Sequence, residues 1–403
     1  MKLPGQNEKH LTYCLNIHPG ETWEANFAAI RDHAMRVRDA VAQREPFGLG
    51  LRLGARAADQ LTGPGTLDEL RKFLDDHGLY AFTINGFPYG QFHGQAVKED
   101  VYRPDWRSTR RREYTNTLID ILAALLPEGV AGSISTVPVA YKPWITTTED
   151  MLQVAGMLGG AAAYAREVRK DTGKDICIAL EPEPDCVLET TSEAIEFLTV
   201  TLPRAAETVA EEIGLAPDNV SETLARNVGI CLDTAHSAVE FEDPAESLTR
   251  FAAAGVRVAK VQLSSALRLT ASAEAMNKLE AFVDPVYLHQ VKLRRPEGEI
   301  ESFADLPAAI NASKSLGDGG PCELRVHFHV PLFFTGAGPL SSTSDLLGED
   351  FWRHLSGSPD IRQLEIETYT FDVLPKTLRA SDVVESIRSE YEWVLTQWAA
   401  CQG

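Results

Sequence analysis

The sequence predicts an α/β fold, specifically a (β/α)8 TIM barrel with an insertion before the last strand. Strand-like and helix-like segments alternate almost from the first residue. Several apolar runs end in a side chain that can bind a metal or move a proton. The sequence contains neither G-x-G-x-x-G after the first strand nor G-x-x-x-x-G-K-[ST], which disfavours the alternative of a flat, doubly wound sheet.

The barrel strands are predicted from bounded apolar runs, which suit strands that are covered on both faces. In chain order they are residues 11–17, 47–53, 80–85, 132–137, 177–181, 228–233, 256–263 and 362–369. Helical patterns between them cover residues 21–43, a stretch from Thr66, 110–126 and 149–172. Strands that alternate with helices of this length indicate a parallel sheet.

The alternation is interrupted before the last strand, in residues 271–340. This region has a helical piece, a predicted hairpin at 287–294 and a strand-like run at 324–329. A barrel of about 250 residues that carries insertions can reach the length of this chain. We therefore expect residues 1–403 to form a single TIM-barrel domain, with 271–340 as an elaboration over the barrel mouth.

The composition excludes several classes of protein. A formal net charge of −20 disfavours nucleic acid or an anionic membrane as the main partner. No apolar run approaches the ~18 residues of a membrane span, and the amino terminus has no signal-peptide core. The 6 cysteines are scattered, with no C-x-x-C, which favours reduced thiols. We expect a cytoplasmic protein without membrane insertion, and the sequence predicts no oligomeric state.

Four predicted strands end in a residue that can bind a metal or move a proton: Glu181, Asp233, Gln262 and Glu367. A TIM barrel builds its active site at the carboxyl ends of its strands, so these side chains should meet at one rim. Carboxylate and amide oxygens are hard ligands that suit Mg²⁺ or Mn²⁺. Gln262, taken alone, fits a structural role as well as a functional one.

Three histidines extend this set of candidate ligands. His236 follows Asp233 by three residues, a spacing that suits a divalent metal or acid–base chemistry. The alternative is a helix-capping aspartate with an incidental histidine. His327 and His329 alternate in one strand, so both rings should share a face and could bind a metal. Their alternative role is to bind a substrate phosphate or to pack a loop.

Four further residues are predicted to contact a substrate: His18, Asn85, His93 and Lys260. The first two lie at strand ends on the predicted rim, and the third lies in an aromatic loop. Lys260 could instead be a counter-ion inside the barrel, with Glu365 as its partner. Glu183 and Asp185, which follow the fifth strand, are expected to be solvated loop acids.

The ordered strand-end residues resemble the xylose isomerase-like TIM barrel superfamily, which includes sugar isomerases, epimerases and the endonuclease IV nucleases. More closely, the segments YCLNIHPGETW, NGFPYGQFHG, DTAH and VHFHVPLF resemble the EboE-type "metabolite traffic" proteins. The resemblance implies that the four strand-end residues bind a divalent metal, although most members have histidine where Gln262 stands. It also implies that His236, His327 and His329 lie where the nucleases bind additional metals.

These observations predict a metal-dependent isomerase or epimerase of a small hydroxy-carbonyl or sugar-type metabolite. Glu181 and Glu367 would transfer the proton, and the cofactor would be a divalent metal such as Mn²⁺, Mg²⁺ or Zn²⁺. Two alternatives remain open. One is a phosphoester hydrolase that uses several metal ions, and the other is a protein that binds a metabolite without converting it.

Overall fold

The computed structural model describes residues 1–42, 45–90, 98–283, 288–313, 321–371 and 382–402. Its strands form two sheets. In chain order the strands are β1 Lys2–Leu3, β2 Lys9–Tyr13, β3 Phe47–Arg52, β4 Leu79–Asn85, β5 Gly132–Thr136, β6 Ile176–Leu180, β7 Val228–Asp233, β8 Val258–Leu263, β9 Ser265–Thr270, β10 Val291–Arg294, β11 Ile300–Phe303, β12 Glu323–Val330, β13 Leu340–Ser342 and β14 Gln363–Ile366.

The first sheet is a barrel of parallel strands. Each strand from β3 to β7 pairs in parallel with the strand that follows it, which ends this series at β8. β14 pairs in parallel with both β8 and β2. A parallel bridge between Cys14 and Gly50 joins the end of β2 to β3 and completes the ring. β1 is antiparallel to β2. This ring of parallel strands, with helices between them in sequence, confirms the predicted TIM barrel.

The helices that follow the strands are α1 Trp23–Ala29, α2 Met35–Val41, α3 Ala55–Leu61, α4 Thr66–His77, α5 Thr109–Leu125, α6 Thr148–Thr172, α7 Thr191–Glu196, α8 Leu202–Thr208, α9 Pro217–Asn227, α10 Thr234–Val239, α11 Pro244–Ala253, α12 Ala273–Leu279, α13 Leu306–Ser313, α14 Glu349–Gly357 and α15 Val383–Ala400. Local sequence sets their ends. α6 begins with a capping box of Thr147 and Asp150 and ends at Gly173, whose φ is 73°. In the described part of the chain, no helix has the length and apolarity of a membrane span.

The second sheet is antiparallel, in the order β11-β10-β12-β9-β13, and lies between β8 and β14 in sequence. α10, which follows β7, packs against β9 and β12. This contact brings the second sheet to the carboxyl end of β7. The sheet begins earlier than the predicted 271–340 region, and the assignment of that region as an elaboration of a single domain stays a prediction.

Several predicted boundaries differ from the observed elements. The first strand ends at Tyr13, because the chain turns into a short 3-10 helix over Leu15–Ile17 whose apolar residues are buried in the turn. The helix predicted at 21–43 divides into α1 and α2, which are separated by a wider turn. Residue 287 of the predicted hairpin lies outside the described residues, and the observed hairpin pairs β10 with β11.

An ion pair lies inside the barrel, between β8 and β14. Lys260 Nζ contacts Glu365 Oε2, and both side chains are fully buried. Backbone at β3 makes room for this pair, because a Cβ atom on Gly50 would lie 2.1 Å from Glu365 Oε1. Lys260 therefore occupies the interior position that was the alternative to substrate binding.

Candidate functional site

Three carboxylates meet at the carboxyl ends of β6, β7 and β14. Glu181 follows β6, Asp233 ends β7 and Glu367 follows β14. Only 3 %, 1 % and 4 % of their respective surfaces are exposed. One candidate ligand group joins Asp233 with Glu181 and His236, and another joins it with Glu367 and His329. Within each group the ligand atoms all lie within 4.8 Å of one another, so Asp233 is the centre of the cluster.

Asp233 has one occupied oxygen and one without a partner. Its Oδ1 accepts hydrogen bonds from the backbone N–H groups of Ala235 (2.8 Å) and His236 (3.0 Å) and from Ser264 Oγ (2.7 Å). Its Oδ2 is buried and has no hydrogen-bond partner within the described ranges. Burial opposes ionisation, but His236, His329 and the hydrogen bonds hold the pKa of Asp233 below its ordinary value. Asp233 thus caps α10 and also presents an ionised oxygen.

The other two carboxyl groups hold their protons more strongly. Burial, followed by the charge of Asp233, raises the pKa of Glu181 well above its ordinary value. Burial also raises the pKa of Glu367, followed by the charges of Glu181 and Asp233. Asn16 Nδ2 donates a hydrogen bond to Glu367 Oε1 at 2.7 Å. In the metal-free protein, Glu181 and Glu367 therefore stay protonated at pH values where a solvated glutamate is ionised.

Three histidines approach the carboxylates from two elements. His236 lies in α10, and His327 and His329 lie in β12. The ring centre of His236 is 4.5 Å from that of His327 and 5.5 Å from that of His329. Burial lowers the pKa of His236 to about 4 and that of His327 well below its ordinary value. These two rings are therefore neutral at pH 7, as metal ligands need to be.

Hydrogen bonds fix which nitrogen of two of the rings carries the proton. His329 Nδ1 lies 2.8 Å from the backbone carbonyl of Glu367, and His236 Nδ1 lies 3.1 Å from that of Pro182. A carbonyl oxygen only accepts, so each Nδ1 carries the hydrogen and donates it. The Nε2 atom of each ring keeps a lone pair that can bind a metal.

His327 is held in the same tautomer through a side-chain amide. Gln290 Nε2 donates to the Pro184 carbonyl at 3.2 Å and to Tyr102 Oη at 2.9 Å, which identifies the amide nitrogen. The amide oxygen therefore accepts from His327 Nδ1 at 2.8 Å. Nε2 of His327 and Nε2 of His329 are both buried, and neither has a partner in the described part of the chain.

This donor set fits a divalent metal ion. The buried atoms without a described partner include Glu181 Oε2, Asp233 Oδ2, His327 Nε2 and His329 Nε2, all of which carry lone pairs. A buried acceptor that lacks a partner costs about 1–3 kcal/mol, and one cation can satisfy several of them. Imidazole nitrogen combined with carboxylate oxygen is a donor set for Zn²⁺ and similar metals.

Gln262 lies at the same rim, but its oxygen is already engaged. The register of β8 places Gln262 beside Asp233 on one side and Glu365 on the other. Its Oε1 accepts a hydrogen bond from Cys231 Sγ at 3.0 Å. His329 presents a nitrogen within one ligand group of Asp233. The role of Gln262 as a metal ligand stays a prediction and requires its amide to rotate.

A small cavity of about 60 Å³ lies over the carboxylates. A buried water needs roughly 10–15 Å³ of such volume, so the space corresponds to a few waters or a small part of a metabolite. Its polar wall includes Asn16, Asn85, Glu183, His236 and Glu367. The aromatic rings of Phe87, Tyr102 and Tyr369 line it as well.

The residues that were predicted to contact a substrate have different positions. Asn85 lines the cavity. His18 is buried, and its Nε2 lies 3.0 Å from the hydroxyl of Tyr13. Lys260 is paired with Glu365 in the barrel interior. His93 lies outside the described residues.

Glu183 corrects the expectation that the acids after the fifth strand are solvated. Only 6 % of its surface is exposed, and Tyr102 Oη donates to its Oε1 at 3.0 Å. Burial raises the pKa of Glu183 to about 8. The chain turns inwards here, because Glu183 N–H donates to the Leu188 carbonyl and its own carbonyl accepts from Cys186 N–H. Two acids that flank a proline at a strand end were the sequence signal for this position.

Three other residues of the site were not identified from the sequence: Asn16, Tyr102 and Gln290. Asn16 had a usable signal, because it is a polar residue near the carboxyl end of the first predicted strand. The other two lie outside any barrel strand, and they reach the site only through tertiary contacts. No local sequence pattern predicts that kind of contact.

Comparisons with known proteins find similarity in structure alone. No protein-family model matches the chain, and no curated protein matches its sequence. The EboE-type resemblance therefore has no support from these comparisons.

Solved structures with a similar arrangement include an L-ribulose 3-epimerase, at 13% identity and TM-score 0.48, covering 98% of this chain and 95% of that one. The IOLI protein with a bound zinc atom matches at 12% identity and TM-score 0.45, covering 96% and 99%. A xylose isomerase domain protein from Alicyclobacillus acidocaldarius matches at 10% identity and TM-score 0.45, covering 98% and 99%. At these levels the likenesses carry no conclusion about activity.

Proposed function

We propose that this protein is a metal-dependent isomerase or epimerase of a small hydroxy-carbonyl compound. The observation that carries the proposal is the pair Glu181 and Glu367, two buried carboxyl groups on either side of the ionised Asp233. Both have raised pKa values, and a proton-transfer catalyst works best when its pKa is near the working pH.

The residues proposed to hold the metal come from the barrel and from the second sheet. Glu181, Asp233, Glu367 and His329 form the first position, and Gln262 stays a candidate after rotation of its amide. A bound divalent ion would act as a Lewis acid on the carbonyl and the adjacent hydroxyl oxygen of the substrate. Mn²⁺, Mg²⁺ and Zn²⁺ all suit carboxylate ligands, and the imidazoles favour Zn²⁺ or Mn²⁺.

The proton would move between the two glutamates. One carboxylate removes the hydrogen from the carbon next to the carbonyl, and the other carboxyl group returns a hydrogen to the neighbouring carbon or to the opposite face. Asn16 holds Glu367 in place through its 2.7 Å hydrogen bond, so the oxygen that faces the cavity is defined. The hydrogen that is returned comes from the second carboxyl group, which exchanges with solvent between turnovers, so the product carries a hydrogen from solvent.

Solvent deuterium exchange tests this proposal. We expect Mn²⁺-loaded protein to introduce deuterium at the carbon next to the carbonyl of at least one short ketose or hydroxy-keto acid. Glu367→Gln should abolish exchange while retaining bound metal, because the amide cannot take a proton. Unchanged exchange in that variant, or none with the wild type, would contradict the proposal.

A second function, hydrolysis of a phosphoester with more than one metal, is favoured by the group His236, His327 and His329. Their ligand atoms lie within 4.8 Å of one another, so they offer a second position that shares His329 with the first. Elemental analysis decides between the two functions. One metal ion per chain supports the isomerase, whereas additional ions that disappear in His327→Ala support hydrolysis.

The resemblance to the EboE-type proteins supports a third possibility, binding of a metabolite without conversion. It predicts that a ligand binds the barrel mouth and that exchange never occurs. We also propose, from the sequence alone, a small-molecule partner rather than nucleic acid, a cytoplasmic location, and residues 271–340 as an elaboration over the mouth.

A further inference from the structure

We propose that the site takes an uncharged, hydroxyl-bearing substrate and rejects its phosphorylated counterpart, with Glu183 as the residue that contacts a substrate hydroxyl. The inference rests on the proposed function, since it concerns the same cavity. It deepens that function because short ketoses and their phosphates are both chemically suitable substrates for proton transfer.

Among the described residues, the cavity wall is poor in the cationic side chains that bind a phosphate. Glu181, Glu183 and Glu367 all line the cavity. Lys98 is the single lysine or arginine among the described lining residues, and its Nζ lies 2.6 Å from Asp305 Oδ2. A phosphate group is an acceptor with negative charge, and proteins bind it with arginine, lysine or exposed backbone N–H groups. The described wall offers it one cation, already engaged with a carboxylate.

Glu183 and Asn16 each have a buried side-chain oxygen without a described hydrogen-bond partner. Glu183 Oε1 accepts from Tyr102, while its Oε2 is buried with no partner within the described ranges. Asn16 donates its amide hydrogen to Glu367, and its Oδ1 likewise lacks a described partner. A substrate hydroxyl can donate its hydrogen to either oxygen, and two hydroxyls can satisfy both. A phosphate or carboxylate cannot satisfy the oxygen of Asn16.

Tyr102 and Gln290 hold the carboxyl group of Glu183 in place from behind. Gln290 Nε2 fixes the Tyr102 hydroxyl at 2.9 Å, so that this hydroxyl donates to Glu183. The ring of Tyr102 is stacked between Phe87 at 5.9 Å and Tyr141 at 5.6 Å. A carboxyl group that is held in one orientation from behind recognises a hydroxyl at a defined position. The carboxyl group of Glu183 is thus positioned to contact a substrate and does not move as a surface acid would.

Titration calorimetry on the Mn²⁺-loaded protein tests the inference. The probes are dihydroxyacetone, D-xylulose and D-fructose, each compared with its own terminal phosphate. We expect at least one neutral ketose to bind about tenfold or more tightly than its phosphate. Equal or tighter binding of the phosphate in every pair would overturn the inference, and so would failure of all six probes to bind.

Substitutions test whether Glu183 causes the preference for the neutral ketose. Glu183→Ala should weaken binding of the neutral ketose about tenfold or more without changing Mn²⁺ affinity, and Glu183→Gln should restore most of it because its amide still contacts a hydroxyl. Glu189→Gln is the matched control, since Glu189 lies in the same segment and its Oε1 and Oε2 pair with Lys292 and Lys142. Loss of Mn²⁺ affinity in Glu183→Ala, or no weakening of the ketose, would contradict the assignment.

The two proposals can fail separately. A preference for the neutral ketose with no deuterium exchange in any probe would support the inference and contradict the isomerase. Deuterium exchange confined to the phosphorylated probes would support the isomerase and contradict the inference.

Discussion

The two halves of the candidate site come from different kinds of structure. The barrel supplies carboxylates, each at the end of a parallel strand, and the antiparallel sheet supplies two imidazoles from the middle of β12. In the barrel half, the topology alone brings the strand ends together. In the sheet half, nothing in the strand order requires His327 or His329 to face the barrel. Their placement depends on side-chain and backbone contacts between the two sheets.

Those contacts are specific and few. His329 donates to the backbone carbonyl of Glu367, and Thr370 Oγ1 donates to the backbone carbonyl of His329. The carboxyl group of Glu390, in α15, accepts from Leu332 N–H at 3.1 Å and from Thr368 Oγ1 at 2.7 Å. The barrel half is therefore fixed by the fold, and the sheet half is fixed by a small set of hydrogen bonds that single substitutions can remove.

The largest expected effect comes from removing Asp233, the central carboxylate of the barrel half, because the protein should then lose its metal. We expect Asp233→Ala to weaken Mn²⁺ or Zn²⁺ binding by more than about 100-fold, which exceeds the usual cost of losing an outer-shell partner. Calorimetry and elemental analysis measure it. Asp243→Ala is the matched control, because Asp243 caps α11 with the same pair of backbone hydrogen bonds. If both variants lose the metal equally, helix capping and not ligation causes the effect.

The next effect separates the two histidines of the sheet half. His329 belongs to the ligand group of Asp233 and Glu367, whereas His327 belongs only to the group of histidines. We expect His329→Ala to weaken the first metal by about 10–100-fold and His327→Ala to leave it within a few-fold. The visible absorption of Co²⁺-substituted protein reports both. Equal loss in the two variants would mean that the two ligand groups hold one shared ion.

A smaller effect distinguishes the halves by their protons. Glu181 and Glu367 have raised pKa values and hold protons without metal, whereas in the sheet half burial lowers the pKa of His327 and already keeps its ring neutral. Metal binding should therefore release protons from the barrel half, and affinity should fall as the pH decreases, by up to about tenfold per unit for each proton released. Calorimetry in buffers of different ionisation enthalpy counts them.

The control for this experiment is Glu181→Gln, which removes one of the titrating groups. The variant should release fewer protons than the wild type at the same pH. Proton release that is unchanged in Glu181→Gln but lost in His236→Ala would assign the titration to the sheet half and its neighbours instead.

A further effect concerns stability and not metal binding, and it arises at a contact that holds the two halves together. Burial raises the pKa of Glu390 to about 8 in the folded protein, compared with an ordinary value near 4.5. The resulting stability is fully present below about pH 4.5 and is lost as the pH rises towards about 8. Glu390→Gln cannot ionise, so its free energy of unfolding relative to wild type should increase by a few kcal/mol, on the order of 1.4 per pH unit, across this range.

Denaturant titrations at several pH values measure this difference. Glu385→Gln, on the exposed side of the same helix, should show no such trend, because Glu385 is paired with Arg388 in solvent. A flat difference between wild type and Glu390→Gln would show that the carboxyl group is ionised in the folded protein at neutral pH.

The same two halves also differ in how well the sequence predicts them. The strand ends Glu181, Asp233 and Glu367 were identifiable because a parallel barrel places a single acid that follows a buried apolar run at its active rim. His327 and His329 were identifiable as a pair on one strand face. Their approach to the carboxylates was not, because it depends on Glu390 and other contacts between segments distant in sequence.

Glu183 and Gln262 show the limits of reading side chains from local pattern. Glu183 follows a proline, which favours an exposed loop, yet the turn that follows it brings it into the cavity wall. Gln262 lies at a strand end as predicted, but its side-chain oxygen accepts a hydrogen bond from the thiol of Cys231. In both residues the deciding partner lies on another segment, where composition and spacing carry no information.

The glycine at position 50 limits how the floor of the barrel can change. A Cβ there would lie 2.1 Å from Glu365 Oε1 and 2.9 Å from the Tyr13 carbonyl, so even alanine displaces the glutamate from Lys260. Random mutagenesis followed by selection should return glycine alone at this site even when positions 260 and 365 change, because the Tyr13 carbonyl belongs to the backbone. For protein engineers, the neighbouring strand sets this constraint, and exchanging the ion pair alone does not remove it.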